Sequence, residues 1–560
     1  MTATPAAVPP IWTTGSTEVF HTGTWRAALP RHIQAPSPCH QACPVNGDIA
    51  EWIALARQRD WRGAFDVLAR HNPFPAIAGR ICHHPCEAAC NRAGFDESLA
   101  ICKLERFVGD TAITQGWSLE APTEERSGHV AVVGGGPAGL SAAFQLRRRG
   151  WRVTLFEARA ELGGLMRHGI PPYRLARSVL DAEIARIVAL GVVVRCGESV
   201  STPEDFERLR ATHDAVFVAV GAARVKRLPA LGDGLPGVMD GAAYLEACNA
   251  GHAPALGRHV VVIGGGSAAI DAARSARRAG HEVTILALES RAQMPAQREE
   301  VQEALEEGVS LLDGAMLTSA SAVSPGLRLD CQRVRFEPAA DGRPFSVVPL
   351  AEGPSTHFSF AADAVLCSIG QDPDLTPFAG ALPERGALLA VDERQATGGA
   401  GVWAGGDVAS MARYVTQAVG MGKQAALDIH RRLLDAAAPA GDDAASAAGP
   451  EAVVPLAAIA TWYHPKAPRV TEQVRLPSER HSAALEVQLG LDIEQALAEA
   501  GRCFSCGTCI HCDNCVVYCP DLAVARVDVG YEVLADYCKG CGLCVRECPT
   551  GSMKMVEERR

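Results

Sequence analysis

The arrangement of apolar and polar positions repeats once along this chain. Residues 129–157 (HVAVVGGGPAGLSAAFQLRRRGWRVTLFE) open on an unbroken apolar run, pass a cluster of glycines, continue at helical spacing and close on a second apolar run. That order predicts strand, tight turn, helix and strand. Residues 259–289 (HVVVIGGGSAAIDAARSARRAGHEVTILALE) follow the same order. A further strand, GVWAGG, leads to Asp407, and a helix is expected from about Val415. Ahead of the first repeat, an apolar-periodic run follows Asp48, the expected N-cap, and a second helical stretch covers AFDVLARHN. Pro85 argues against one continuous helix through GRICHHPCEAAC and for a loop entering a short helix. Residues 1–38 read as an extended arm, residues 432–455 as a linker with some helix, and DIEQALAEAGR as a helix delivering the chain to Cys503. The run Arg147–Arg149 reads as a solvated helix end.

Composition narrows the classes. A length of 560 residues suggests three or four domains of about 150 residues each. A 48% hydrophobic, 21% charged chain is ordinary for a globular protein, and a formal charge of −11 argues against a nucleic-acid partner. No apolar run approaches the ~18–20 residues that would span a bilayer. The first twenty residues lack the basic and apolar regions of a signal peptide, so a reducing, cytoplasmic setting is expected for the 20 cysteines.

Half of those cysteines are crowded into the last sixty residues. Cys509, Cys512, Cys515 and Cys519 precede Pro520, and Cys538, Cys541, Cys544 and Cys548 precede Pro549. Each run is C-x2-C-x2-C-x3-C-P, the two-cluster ferredoxin pattern in which the fourth cysteine of each run ligates the other run's cluster. Zinc sites prefer paired CxxC knuckles instead. Cys503 and Cys506 are left over. Near the N-terminus, Cys39, Cys43, Cys82, Cys86 and Cys90 make five, short of the roughly eight thiols that two cubes need. His83 and His84 lie in a loop where a ring could hydrogen-bond near a cluster.

The glycine turns carry the second chemistry. Gly134 allows a tight turn, Gly136 lets a pyrophosphate approach the backbone and Gly139 permits close helix packing. Pro137 and Ala138 open a helix whose unpaired N–H groups face phosphate, and Glu157 can hold ribose hydroxyls. In the second unit Gly264, Gly266 and Ala269 take the glycine places, with Ser267 and Ala268 opening the helix. Aligning the two copies on their glycines sets Ala287 opposite Glu157. Gly406 and Asp407, at a strand end beside a helix start, suit the ribityl or phosphate region of a flavin. Two such folds imply two dinucleotides.

From Cys39 to His430 the chain resembles the small (beta) subunit of glutamate synthase and its relatives, including the N-terminal half of dihydropyrimidine dehydrogenase. The words that carry the resemblance are CPVNGDIAEWI, GRICHHPCEAAC, VVGGGPAGLSAA, ELGGLMRHGIPPYRL, VVVIGGGSAAIDAARSA, MPAQREE and AGGD. It implies FAD on the first Rossmann-like unit, where Gly164 and Leu165 join the binding set, NAD(P) on the second, and two 4Fe-4S clusters in an N-terminal helical domain. The last sixty residues are similar to the delta chain of 2-oxoacid:ferredoxin oxidoreductases through DYCKGCGLCVRECPTGSMKMVEE. The expected fold class is α/β. An arm and helical iron–sulfur domain cover 1–125, and an FAD-binding domain covers 126–225 plus 376–435. An NAD(P)-binding domain covers 226–375, a linker and helix 436–500, and a ferredoxin-like domain 501–560.

Two departures from the first family matter. Its members carry R-C-x-x-C-G before the C-x3-C-P word, whereas here that word occurs as EAGRCFSCG, far downstream. The resemblance then implies a tail that folds back. Cys39, Cys90, Cys503 and Cys506 would hold one cube, and Cys43, Cys82 and Cys86 a second, with Glu105 as the fourth ligand and Cys102 its nearby rival. A local cube on Cys503 to Cys512 is the alternative, and it would strand Cys515 and Cys519. Members that use NADP follow the second fingerprint with two arginines; here Leu288 and Glu289 stand there, which favours NAD, while Ala287 at the usual acid position and Arg291 nearby speak for NADP.

The expected role is electron transfer between low-potential clusters, four in all, and NAD through FAD, with the chemistry carried by the cofactors and no catalytic acid or base in the chain. The tail suggests the NAD-reducing subunit of a phenylglyoxylate or other 2-oxoacid dehydrogenase complex, partnered by its catalytic and ferredoxin-like subunits. A glutamate synthase beta subunit, a ferredoxin:NAD(P) oxidoreductase or transhydrogenase subunit, and a non-catalytic docking scaffold are the alternatives.

Overall fold

The computed structural model describes residues 26–232, 234–339, 345–350, 356–435, 452–482 and 484–558. The arm before residue 26 and the linker over 436–451 lie outside the described residues.

Both repeats fold as their apolar runs predict. The first builds a five-stranded, wholly parallel sheet in the order Val402–Ala404, Ala215–Val218, His129–Val133, Arg152–Glu157, Val193–Cys196. Its central strands are buried, as helix-covered parallel strands must be. The second builds an equivalent parallel sheet in the order Ser310–Leu312, Glu282–Leu286, His259–Ile263, Ala364–Cys367, Val238–Asp240. A four-stranded antiparallel sheet centred on Leu327–Glu337 is inserted before Ala364–Cys367. The chain thus leaves the first sheet after Val218, completes the second, and returns to add Val402–Ala404 at the first sheet's edge.

Six helices between Pro38 and Thr114 form the N-terminal unit, and the long helix Val415–Asp435 ties it to the first sheet. A Cβ added to Gly422 would lie 2.2 Å from the carbonyl oxygen of Ala138, and one on Gly420 would lie 2.3 Å from that of Pro44. Only glycine lets this helix touch the first dinucleotide turn on one side and the segment between Cys43 and Val45 on the other.

The two ends of the described chain meet. The strand Ala28–His32 pairs antiparallel with Met553–Glu557, from Ala28 opposite Glu557 to His32 opposite Met553, and Arg26 bonds Glu558 at 2.7 Å. The described end of the expected arm is therefore a strand shared with the ferredoxin-like tail. Residues 452–482 and 484–492, expected as linker, instead strap the helical unit. Glu486 pairs with Arg80 and Arg106, Glu472 with Lys103, and Arg469 with Glu87.

Two local expectations are corrected. Asp48 stands at the N-cap of the helix Ile49–Arg57, but with left-handed φ and no capping bond. Its carboxylate is taken by the rings of His71, at 2.6 Å, and His40, at 3.2 Å. Arg147 is buried rather than solvated, because its guanidinium bonds the carbonyl of Leu190 at 2.7 Å and pairs with Glu125.

Candidate functional site

Four groups of thiols assemble, each from separate stretches of chain. Cys39, Cys90, Cys503 and Cys506 line one cavity, together with Ile49, Ile53, Leu99 and Phe504. Burial pushes the Cys39 thiol far up, and the nearness of Cys503, Cys506 and Cys90 adds to the shift. Burial likewise raises Cys503 to about 11 and Cys506 to about 12.

The second group is Cys43, Cys82, Cys86 and Glu105. Burial raises Cys43 to about 12, with Glu105 and Cys82 contributing. Cys86 is raised by burial and then by Cys43 and Cys82, with Glu105 also contributing. Glu105, partly buried, is pushed up to about 8 by desolvation and accepts a bond from Asn72 at 2.7 Å. The rival Cys102 turns its thiol to the carbonyl of Ala78 at 3.4 Å.

In the tail, the short helices Asn514–Val517 and Leu543–Arg546 lie against each other, and the two cysteine runs cross over. Cys509, Cys512, Cys515 and Cys548 line a second cavity. Cys538 and Cys544 are raised by burial and then by their neighbours, among which Cys519 and Cys541 act on both. Burial outweighs what positive charge there is, Arg57 by Cys503 and Arg26 by Cys538; a metal cluster supplies a far stronger counter-charge and deprotonates such thiols. The four donor sets therefore fit such clusters. Among the described residues, no group of three or more His, Cys, Asp or Glu closes round a point as a single ion requires.

The first group exists only because the tail is clamped to the head. Arg92, buried, donates to the carbonyl of Arg502 at 2.9 Å and to Asp96 at 2.8 Å, with its guanidinium 4.7 Å from the ring centre of Phe504. Asn91 donates to the carbonyl of Val454 at 3.0 Å and towards the sulfur of Cys506 at 3.4 Å. A Cβ on Gly507 would fall 1.9 Å from the carbonyl oxygen of Ala35, so the tail passes the arm with no room to spare. Sequence reasoning missed Asn91 and Arg92; their one signal is that they directly follow Cys90.

The dinucleotide turns are equally tight. Gly134 has φ +108°, and a Cβ on Gly139 would lie 1.9 Å from the carbonyl oxygen of Gly134. Gly136 precedes the helix that opens with Pro137 and Ala138. Glu157 accepts from the N–H of Gly135 at 2.7 Å. Gly164 packs on Gly136 and Gly406 on Ala138, so these two segments rim the same turn, with Leu165 exposed beside it. Asp407 is raised by burial, opposed by Arg413 at 3.8 Å.

In the second unit Gly264 makes the turn, and Gly266 precedes the helix beginning Ser267 and Ala268. Counting along the sequence sets Ala287 opposite Glu157, but Ala287 is buried. Glu289 takes the place in space: a Cβ on Gly265 would lie 2.6 Å from its carboxylate, as one on Gly135 would lie 2.9 Å from that of Glu157. Arg291 is held at 2.8 Å by Gln302.

The second thiol group borders the first unit. The Cys82 sulfur is 3.5 Å from the Thr416 hydroxyl, and the His83 ring lies 4.1 Å from that of Tyr414. Gln297 of the second unit donates to the carbonyl of Cys82 at 3.0 Å.

Comparison with known proteins accords with this arrangement. Residues 128–425 match the pyridine nucleotide-disulphide oxidoreductase family. The chain belongs to that family. This oxidoreductase also matches dihydropyrimidine dehydrogenase domain II, 4Fe-4S cluster, over residues 31–117, and the 4Fe-4S dicluster domain over 508–552. It is 35% identical to the NADP(+)-dependent formate dehydrogenase subunit beta of Moorella thermoacetica, over 84% of this chain and 70% of that one. It is 32% identical to the NAD-dependent dihydropyrimidine dehydrogenase subunit PreT of Escherichia coli strain K12, over 71% of this chain and 91% of that one. It is 33% identical to the glutamate synthase [NADPH] small chain of Azospirillum brasilense, over 70% and 85%. The protein is an electron-transfer FAD/NAD(P) oxidoreductase with 4Fe-4S domains. Among the described residues, no helix is long and apolar enough to cross a membrane.

Because Arg92 leaves Asp96 and the Arg502 carbonyl short of a partner when removed, Arg92→Met is expected to destabilise the fold by about 3–5 kcal/mol. Chemical denaturation measures this, and earlier proteolytic cleavage ahead of Cys503 locates it.

Proposed function

We propose that this oxidoreductase is the NAD-reducing subunit of a 2-oxoacid dehydrogenase complex, a conduit that takes electrons in at its ferredoxin-like tail. The observation that carries the reading is the cavity shared by Cys39, Cys90, Cys503 and Cys506, which joins the tail to the head. In this reading those four hold one 4Fe-4S cluster, and Cys43, Cys82, Cys86 and Glu105 a second. Cys509, Cys512, Cys515 and Cys548 hold a third, and Cys538, Cys541, Cys544 and Cys519 a fourth. Residues 126–225 and 376–435 carry FAD, and 226–375 carry NAD.

When bound, the flavin exchanges hydride with the nicotinamide and single electrons with the clusters. The chain's own part is placement. Gly134, Gly136 and Gly139 with Pro137 and Ala138 offer backbone N–H groups to the FAD pyrophosphate, and Glu157 orients its ribose. Gly164, Leu165, Gly406 and Asp407 bound the rest of that site. Gly264, Gly266, Ser267 and Ala268 do the same for NAD. The Glu289 carboxylate over Gly265 accepts from a ribose 2′-OH and repels a 2′-phosphate, while Arg291 is engaged by Gln302. Thr416 and Tyr414, touching Cys82 and His83, hold that ligand segment beside the first dinucleotide unit, where it would bring a cluster near a bound flavin. Fifteen thiol ligands that must stay reduced suit the cytoplasm.

Three results test the reading. Cys503→Ser/Cys506→Ser is expected to lose the iron of one cube out of four, and full iron would sink the shared-cavity assignment. NADH is expected to reduce the flavin at a lower KM than NADPH by roughly tenfold, about 1.4 kcal/mol, with Glu289→Arg narrowing the gap; tighter use of NADPH overturns it. Purification from its native source is expected to bring down thiamine-dependent catalytic and ferredoxin-like subunits; a glutamate-forming partner instead points to a glutamate synthase beta role.

A further inference from the structure

The N-terminal strand ends on a histidine that the electron-transfer reading leaves without a task. His32 pairs with Met553 across the sheet that joins the two chain ends. With Tyr531, it lines the cavity bounded by Cys509, Cys512, Cys515 and Cys548. Its Nε2 is buried and has no hydrogen-bond partner. The ring is fixed on both sides: Tyr531 meets it edge-on at 5.7 Å, and a Cβ on Gly530 would fall 2.3 Å from Cε1. A buried imidazole nitrogen held rigidly and unpaired beside four thiols calls for an acceptor that occupies the cavity.

We infer that His32 Nε2–H donates a hydrogen bond to sulfur in the cluster cradle of Cys509, Cys512, Cys515 and Cys548, so that the N-terminal strand sets the reduction potential of the tail. The inference rests on those four residues being ligands. A donor aimed at cluster sulfur favours the reduced, more negative state and raises the potential. The Thr550 hydroxyl, 3.6 Å from the Cys548 sulfur and 2.8 Å from the Ser552 hydroxyl, belongs to the same polar lining. His32 is a positioning residue here: it makes no bond to iron and moves no electron itself. It gives the strand that closes the chain ends together a second role, so that docking of the arm and tuning of the cluster are one event.

The test is a reductive titration followed by electron paramagnetic resonance on the full-length protein with all clusters assembled. In His32→Leu, one midpoint is expected to move to lower potential, while the other clusters keep theirs and the iron content stays full. His32→Gln, which keeps a donor, is expected to restore most of the shift. Unchanged midpoints at full iron in His32→Leu overturn the inference. If the leucine variant loses iron, pulsed resonance on the unaltered protein with isotope-labelled histidine decides. A histidine nitrogen coupled to a tail cluster supports the bond, and no such coupling overturns it. Failure of the underlying ligand reading looks different: Cys548→Ser would then keep its full iron.

Discussion

A buried thiol is comfortable only when neutral, and a cluster of them is useful only when ionised around metal. That tension organises this protein. Burial holds thiols in all four groups above their ordinary range, and neighbouring sulfurs push the same way. The surrounding structure must therefore bring the donors together without help from charge attraction between them. It does so with apolar packing and with arginines. Phe504 packs against Phe95, Arg92 lies over both rings, and Glu499, fully buried, accepts from the backbone of Ala100 and Val470 and from Arg502. The contacts of Phe95 and Arg92 with Phe504, and of Ala100 with Glu499, join the head to residues near Cys503.

The same economy governs the link between the cluster groups and the dinucleotide units. One helix, Val415–Asp435, touches both, through two glycines that admit a foreign backbone at van der Waals distance. Its buried Lys423 donates to the carbonyl of Val45 at 2.6 Å, and burial lowers its pKa to about 8 against the pull of Asp48. An ammonium is thus placed between the first dinucleotide helix and the loop after Cys43. A shift of this helix would move both cofactor regions at once, which explains why its packing is so close where it crosses them.

The local code was readable in particular places. The apolar–glycine–helical order at 129–157 and 259–289 foretold both parallel sheets, because period and turn chemistry act over a few residues. The C-x2-C-x2-C-x3-C-P spacing foretold the crossing of Cys519 and Cys548 between runs. The misreadings lie where a side chain answers to something distant: Asp48 stands at its helix N-cap but gives its carboxylate to His71, and Arg147 is drawn into the interior by Glu125 and Leu190.

By itself, then, the sequence determined the number of dinucleotide units, the glycine turns, the two ferredoxin-type runs and the oddness of Cys503 and Cys506, all properties of short-range spacing. The grouping of those two thiols with Cys39 and Cys90 was expected only through the family's displaced R-C-x-x-C-G word, whereas tertiary structure alone decided that residues 28–32 close a sheet with residues 553–557 and that 452–482 and 484–492 are a strap. The physical reason is that no local spacing encodes which distant backbone a loop will meet. That is fixed by burying Phe504 and Arg92 together, and by pairing strand edges that would otherwise be left without partners.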